Sequence, residues 1–147
     1  MILPSLLHGP RAQLIHRALQ TLDIPCRMLA TQQDLLFELV RKNLYILTTN
    51  IAGLASGGTV AELGASHRTL AQQVAHEVIE IQSWLSGTDL PSEQLIEARV
   101  EAFRADPQHR CAGRSAPARL ARALAHADAA GLPVPTLRQI ATQQLRS

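Results

Sequence analysis

Between Lys42 and Glu62 the chain carries no charged residue. Just upstream, Leu35, Leu36, Phe37, Leu39, Val40, Leu44, Tyr45, Ile46, Leu47 and Ile51 leave almost no polar side on a helical wheel. A helix that is apolar all round belongs in the middle of a bundle. Thr31 is a good N-cap for a helix starting at Gln32, and Asp34 in its first turn suits the positive helix end. The uncharged run raises a membrane question, but it holds Asn43, Thr48, Thr49, Asn50, Ser56, Gly53, Gly57 and Gly58. A buried core helix fits it better than a membrane span, with the glycines loosening the chain into a loop.

The remaining sequence supplies the rest of such a bundle. Hydrophobic residues make up 46% of the 147, carried by Ala and Leu, with aromatics at only 3%. That mix favours helices over sheets, and the length suits one compact domain. The spacing of Ala12, Leu14, Ile15, Ala18, Leu19 and Leu22 predicts an amphipathic helix over 11–22. Apolar residues 2–7 before His8-Gly9-Pro10, and 26–30 after Pro25, predict short strands on either side. Further helices are expected near 60–63; from Ser66, as cap, to Ser86-Gly87; from Pro91 to about Arg104; from Ser115, as cap, to Gly131; and after Thr136, as cap. Residues 108–114 read as loop. The expected fold is therefore mainly α, with a βα connecting element over 1–30 and a helical unit over 31–147.

Several function classes lack their signatures. No G-x-G-x-x-G, G-x-x-x-x-G-K-[ST] or G-x-S-x-G occurs, and His76-Glu77 lacks the second histidine of H-E-x-x-H. No metal site is expected, and the six histidines read as surface or satisfied core residues. Cys26 and Cys111 stand alone and read as reduced thiols of a cytoplasmic protein. Arg104, Arg110, Arg114, Arg119 and Arg122 make one stretch basic, but a net charge of +2 is too small for a nucleic-acid footprint. The N-terminus has neither the basic region nor the cleavage site of a signal peptide.

Two polar residues in the uncharged region remain. Lys42 sits inside the apolar circumference, either snorkelling to the wet edge or placed beside a cavity where its ammonium can polarise a carbonyl. Asn50 lies a little over two turns on, about 12 Å along the axis at 1.5 Å per residue, and reads either as a helix C-cap or as part of the same cleft wall.

Lys42, Asn50 and Glu62-Leu63 stand at the spacing K-x7-N-x11-E-L. That pattern resembles the helical C-terminal domain of ketopantoate reductases, within the class similar to the C-terminal domain of 6-phosphogluconate dehydrogenase. The resemblance continues through Glu77-Val78 and the turn 129–135, AAGLPVP, and covers nearly the whole chain. It implies a multi-helix bundle of that type. It also implies a role for Lys42 as catalytic proton donor or carbonyl polariser, and for Asn50 in holding a 2-keto acid that NADPH reduces. Ile46 stands where the family's first asparagine would be. Counting back from Gly131, Ser115 and Phe103 fall where its glutamate and serine are expected.

The family binds its cofactor on an N-terminal Rossmann domain. This chain starts at the domain connection, so no cofactor site is expected in it, and NADP(H) is implied only if a separate Rossmann-domain subunit completes the site. Three readings follow. The first is a stand-alone substrate-binding or dimerisation domain that is not catalytic by itself. The second is half of an NADP-dependent 2-keto acid reductase. The third is a domain that holds a small acid beside Lys42 without turning it over. A homodimer is expected, because the face that a missing domain would cover is apolar.

Overall fold

The computed structural model describes residues 4–146, which form seven helices and two short strands. They divide into two compact units, Met1–Leu39 and Val40–Ser147. The long helix α2, Gln32–Ser56, runs from the first into the second.

In the first unit, β1 (Ser5–Leu7), α1 (Ala12–Thr21) and β2 (Cys26–Met28) make a βαβ turn. The strands are parallel, with Ser5 opposite Cys26 and Leu7 opposite Met28. Both predicted strands and the helix between them are present. The strand expected over 2–7 is seen from Ser5, its first two residues lying outside the described part. Thr31 caps α2 as expected: its hydroxyl accepts the Asp34 N–H, and the Asp34 carboxylate accepts the Thr31 N–H, each at 3.0 Å.

The second unit holds the rest of α2 with α3 (Val60–Ala65), α4 (Arg68–Ser86), α5 (Ser92–Ala105), α6 (Ala116–Ala130) and α7 (Pro135–Gln144). α4 runs close to α3, α5, α6 and α7. The small residues Ala71 and Ala75 are both buried on it. The core around it includes Leu44, Ile51, Val60, Leu63, Val74, Val78, Leu95, Val134, Leu137 and Ile140, each less than 2% exposed. Full burial of such side chains stabilises by about 1.5–3 kcal/mol each. Among the described residues no helix is long and apolar enough to cross a membrane.

Five local expectations need correction. Gly53 does not loosen α2, which continues to Ser56; the missing side chain serves packing instead, as described below. Burial all round the helix is confined to Thr48–Gly53, whereas Leu39 is 53% exposed. Ser66 ends α3 and does not cap α4, whose N-cap residue is His67. Ser115 occupies the N-cap position of α6 but makes no capping bond. Thr136 lies inside α7, whose N-cap is Val134 in the left-handed region at φ +35°.

What replaces the expected Thr136 cap is a long-range one. Glu77 of α4 is buried, and its carboxylate accepts the N–H groups of Thr136 and Leu137 at 2.8 and 2.9 Å. α3 is capped locally: Thr59 and Glu62 close a reciprocal capping box.

Candidate functional site

The middle of α2 carries three consecutive buried polar residues, Thr48, Thr49 and Asn50, and the segment 107–114, exposed apart from Cys111 and Ala112, is hydrogen-bonded beside it. That segment has no regular structure, yet its backbone is tied down. Ala61 N–H donates to the Pro107 carbonyl at 3.0 Å, Val60 N–H to His109 at 2.9 Å, Cys111 N–H to Gly58 at 3.0 Å and Ala112 N–H to Thr49 at 3.3 Å. Two of these bonds satisfy first-turn donors of α3. Gly53 makes the close approach to α2 feasible. A methyl group there would sit 2.5 Å from the Ala112 nitrogen and 2.6 Å from the Cys111 Cβ.

Asn50 faces this segment. It is buried, its side-chain amide donates to the Ile46 carbonyl at 2.8 Å, and a Cβ at Gly113 would lie 3.7 Å from its carbonyl oxygen. It lies six positions before the end of α2, so the C-cap reading is excluded. Thr49 also bonds back into the helix, to the carbonyls of Tyr45 and Ile46 at 2.9 and 3.1 Å. Side chains that bond one turn back are committed to their own helix.

Lys42 is exposed on the same helix. Among the described residues its ammonium has no hydrogen-bond or ion-pair partner, which matches the wet-edge alternative and not the cavity-side one. Lys42 and Asn50 are therefore on one helix but in different surroundings. One meets water, and the other is buried with one N–H of its amide given to the Ile46 carbonyl.

Between them stands a cluster that the spacing of Lys42 and Asn50 does not reveal. Tyr45 meets Phe103 edge to face at 5.9 Å between ring centroids and lies 6.2 Å from the His109 ring. Burial pushes the Tyr45 hydroxyl above its ordinary pKa, and negative charge on Asp106 and Cys111 adds to the effect. Its oxygen and the Thr48 hydroxyl are enclosed without a partner. On the Phe103 side is Arg99, buried, its guanidinium 5.1 Å from the ring centroid. Burial, and then the positive charge of Arg68, lower its pKa. The sequence does carry a signal for Arg99: it falls four residues from both Leu95 and Phe103, so it occupies the buried stripe of α5.

In the first unit, Cys26 at the start of β2 lies 3.0 Å from Nδ1 of His16 on α1. The βαβ turn makes this thiol–imidazole pair, which a ten-residue separation conceals in sequence. Among the described residues no group of His, Cys, Asp and Glu is arranged to hold a metal ion.

Compared with known protein families, curated proteins and solved structures, the chain matches none.

Proposed function

We propose that this chain is a helical binding and dimerisation domain of the ketopantoate reductase type that does not reduce a keto acid by itself. One observation carries the reading: the residues that make the resemblance are engaged in structure. Glu62 closes the α3 capping box, Leu63 is fully buried, and Glu77 caps the helix that follows the 131–135 turn. These contacts support the finer fold assignment, a bundle like the C-terminal domain of 6-phosphogluconate dehydrogenase. The polar groups toward which substrate would turn are depleted by comparison. Ile46 replaces an asparagine, Asn50 gives one amide N–H to the Ile46 carbonyl, and Lys42 is exposed. A lysine without orienting neighbours contributes little to catalysis. Two unpaired cysteines suit a reducing, cytoplasmic location.

Titration of the purified chain with NADPH, followed by nucleotide fluorescence, tests the reading. No saturable binding is expected, and tight binding would overturn it. A mass measurement in dilute solution is expected to give a dimer; a monomer would remove the dimerisation part.

One observation favours a second reading, in which a separate Rossmann-domain subunit brings NADP(H) and Lys42 acts on a 2-keto acid at the shared site. Parallel strands are ordinarily covered on both faces and extended by further strands. Among the described residues the sheet has two strands, and its unit leaves Leu14 at 69%, Leu22 at 68% and Met28 at 44% exposed. Such a unit suits extension by another parallel sheet. The test is co-purification with a protein carrying G-x-G-x-x-G, followed by keto-acid reduction by the pair. Unchanged reduction after Lys42→Ala would sink this version.

A further inference from the structure

Arg99 is 4% exposed, and its Nε and Nη1 have no hydrogen-bond partner. Among the described residues it pairs with no carboxylate. Its guanidinium lies over the face of Phe103. A guanidinium is always charged and offers five donors, so a buried one without an acceptor is an unusual and costly arrangement. The aromatic face stabilises the cation but leaves the in-plane N–H groups open. Nη2 is not among the enclosed atoms, so this one nitrogen is the part of the guanidinium nearest to water.

The surroundings of that edge are positive. Phe103 lies against Gly64, where a Cβ would be 3.4 Å from the ring, so the stacked guanidinium belongs beside the junction of α3 and α4. At this junction the 19-residue α4 begins without a side-chain cap and without an acidic residue in its first turn. Its uncapped N–H groups form the positive end of the helix. The first residue of the helix is Arg68, which is exposed and close enough for its charge to act on Arg99. The neighbouring acid, Glu62, directs its carboxylate to the Thr59 N–H and hydroxyl. Two guanidiniums and an uncapped helix start thus share one junction, where the neighbouring Glu62 carboxylate is held by Thr59 and also feels the charge of His67 at the α4 N-cap position.

We propose that Arg99, Arg68 and the first turn of α4 form a binding site for a small oxyanion, a carboxylate or a phosphate group. Nη2 of Arg99, the guanidinium nitrogen that is not enclosed, donates to the anion from beside Phe103, and Arg68 closes over it from the solvent side. Lys42 and Asn50 take no part, so the site stands apart from the function proposed above.

Thermal unfolding and isothermal titration test it with sodium phosphate and sodium acetate, each against sodium chloride at equal ionic strength. Saturable stabilisation of the full chain by at least one oxyanion is expected. A response to phosphate alone would identify phosphate-bearing ligands, and a response to acetate alone would identify organic acids. Arg68→Gln, at an exposed position that should not disturb folding, is expected to weaken binding about three- to tenfold. Arg99→Met, which fills the same space without charge, is expected to abolish it while raising the melting temperature without ligand. Lys42→Ala should bind as the parent does. The proposal is overturned if neither oxyanion stabilises the chain, or if Arg68→Gln binds with undiminished affinity. Should Arg99→Met fail to fold, the Arg68→Gln comparison still decides.

Discussion

The carboxylate of Glu77, in the middle of α4, accepts the backbone N–H of Leu137 at 2.9 Å across sixty residues of sequence. With the Thr136 bond beside it, one buried acid satisfies two donors of the first turn of α7 and so fixes where the last helix docks. Charge-assisted bonds of this kind are each worth roughly 1.5–3 kcal/mol, and an enclosed N–H without a partner costs a similar amount. Glu77→Ala is therefore expected to destabilise the fold by about 2–4 kcal/mol. Glu77→Gln, which keeps an acceptor but loses the charge, is expected to cost about 1 kcal/mol. Urea unfolding of the two variants measures both, and an Ala variant as stable as its parent would remove α7 docking from the role of Glu77.

Gly53 gives a prediction whose sign distinguishes two roles. In an exposed helix interior, replacing Gly by Ala would stabilise by about 1 kcal/mol through propensity alone. At this position the added methyl group would meet the Ala112 nitrogen at 2.5 Å and the Cys111 Cβ at 2.6 Å. Backbone cannot yield as the tip of a side chain can, and overpacking of this type costs about 1–3 kcal/mol. Gly53→Ala should lower the urea midpoint, and amide exchange should rise at Cys111 and Ala112 as the segment lifts from α2. An increase in stability would mean that the segment does not need this close approach.

Both relationships bear on how much of the molecule is legible in the amino-acid order. Helix periodicity places every helix, because apolar spacing and glycine stops such as Gly87 and Gly131 act locally; both glycines take the left-handed conformation that ends a helix. Three of the assigned caps, Ser66, Ser115 and Thr136, do not act as caps. A Thr136 cap would have bonded an N–H two or three positions on, whereas the bonds that form run from the Thr136 and Leu137 N–H groups to Glu77 on another helix, and no local pattern records that. Gly53 reads as a breaker because flexibility is what glycine offers in isolation, whereas here packing against Cys111 decides its use. The site is less legible still. Spacing singles out Lys42 and Asn50, yet their environments diverge, since exposure and the back-bond to Ile46 are properties of the folded chain. Arg99 shows the converse: its place in the apolar stripe is readable, but the missing partner is visible only in three dimensions.

The α3 capping box predicts a response to acid. The Thr59 backbone N–H, followed by the Thr59 hydroxyl, holds the Glu62 carboxyl below its ordinary value of 4.5. A depressed folded-state pKa means that the unfolded chain takes up the proton first. The contribution is then fully present above that ordinary value and is lost as pH falls through the folded-state one. Urea midpoints measured from pH about 6 down to about 3 should fall more steeply for the parent than for Glu62→Gln, which cannot titrate there. Parallel slopes would show that the box is insensitive to the charge of its acid.

The two cysteines should separate in reactivity, with Cys26 alkylated ahead of Cys111. Cys111 is 8% exposed, and burial, followed by the negative charge of Glu62, raises its thiol pKa. A raised thiol keeps its proton to higher pH, so the nucleophilic thiolate is scarce near neutrality in addition to being shielded. Cys26 is half-buried at the start of β2 with the His16 imidazole at 3.0 Å, and solvent reaches it without unfolding. At neutral pH, iodoacetamide followed by peptide mass mapping should label Cys26 at least about tenfold faster than Cys111. Raising the pH should narrow the gap by recruiting the Cys111 thiolate, and concentrated urea should abolish it by exposing both. Equal rates in the folded protein would require the 107–114 segment to open on the timescale of labelling, contrary to the four backbone bonds that pin it to α2, α3 and Gly58.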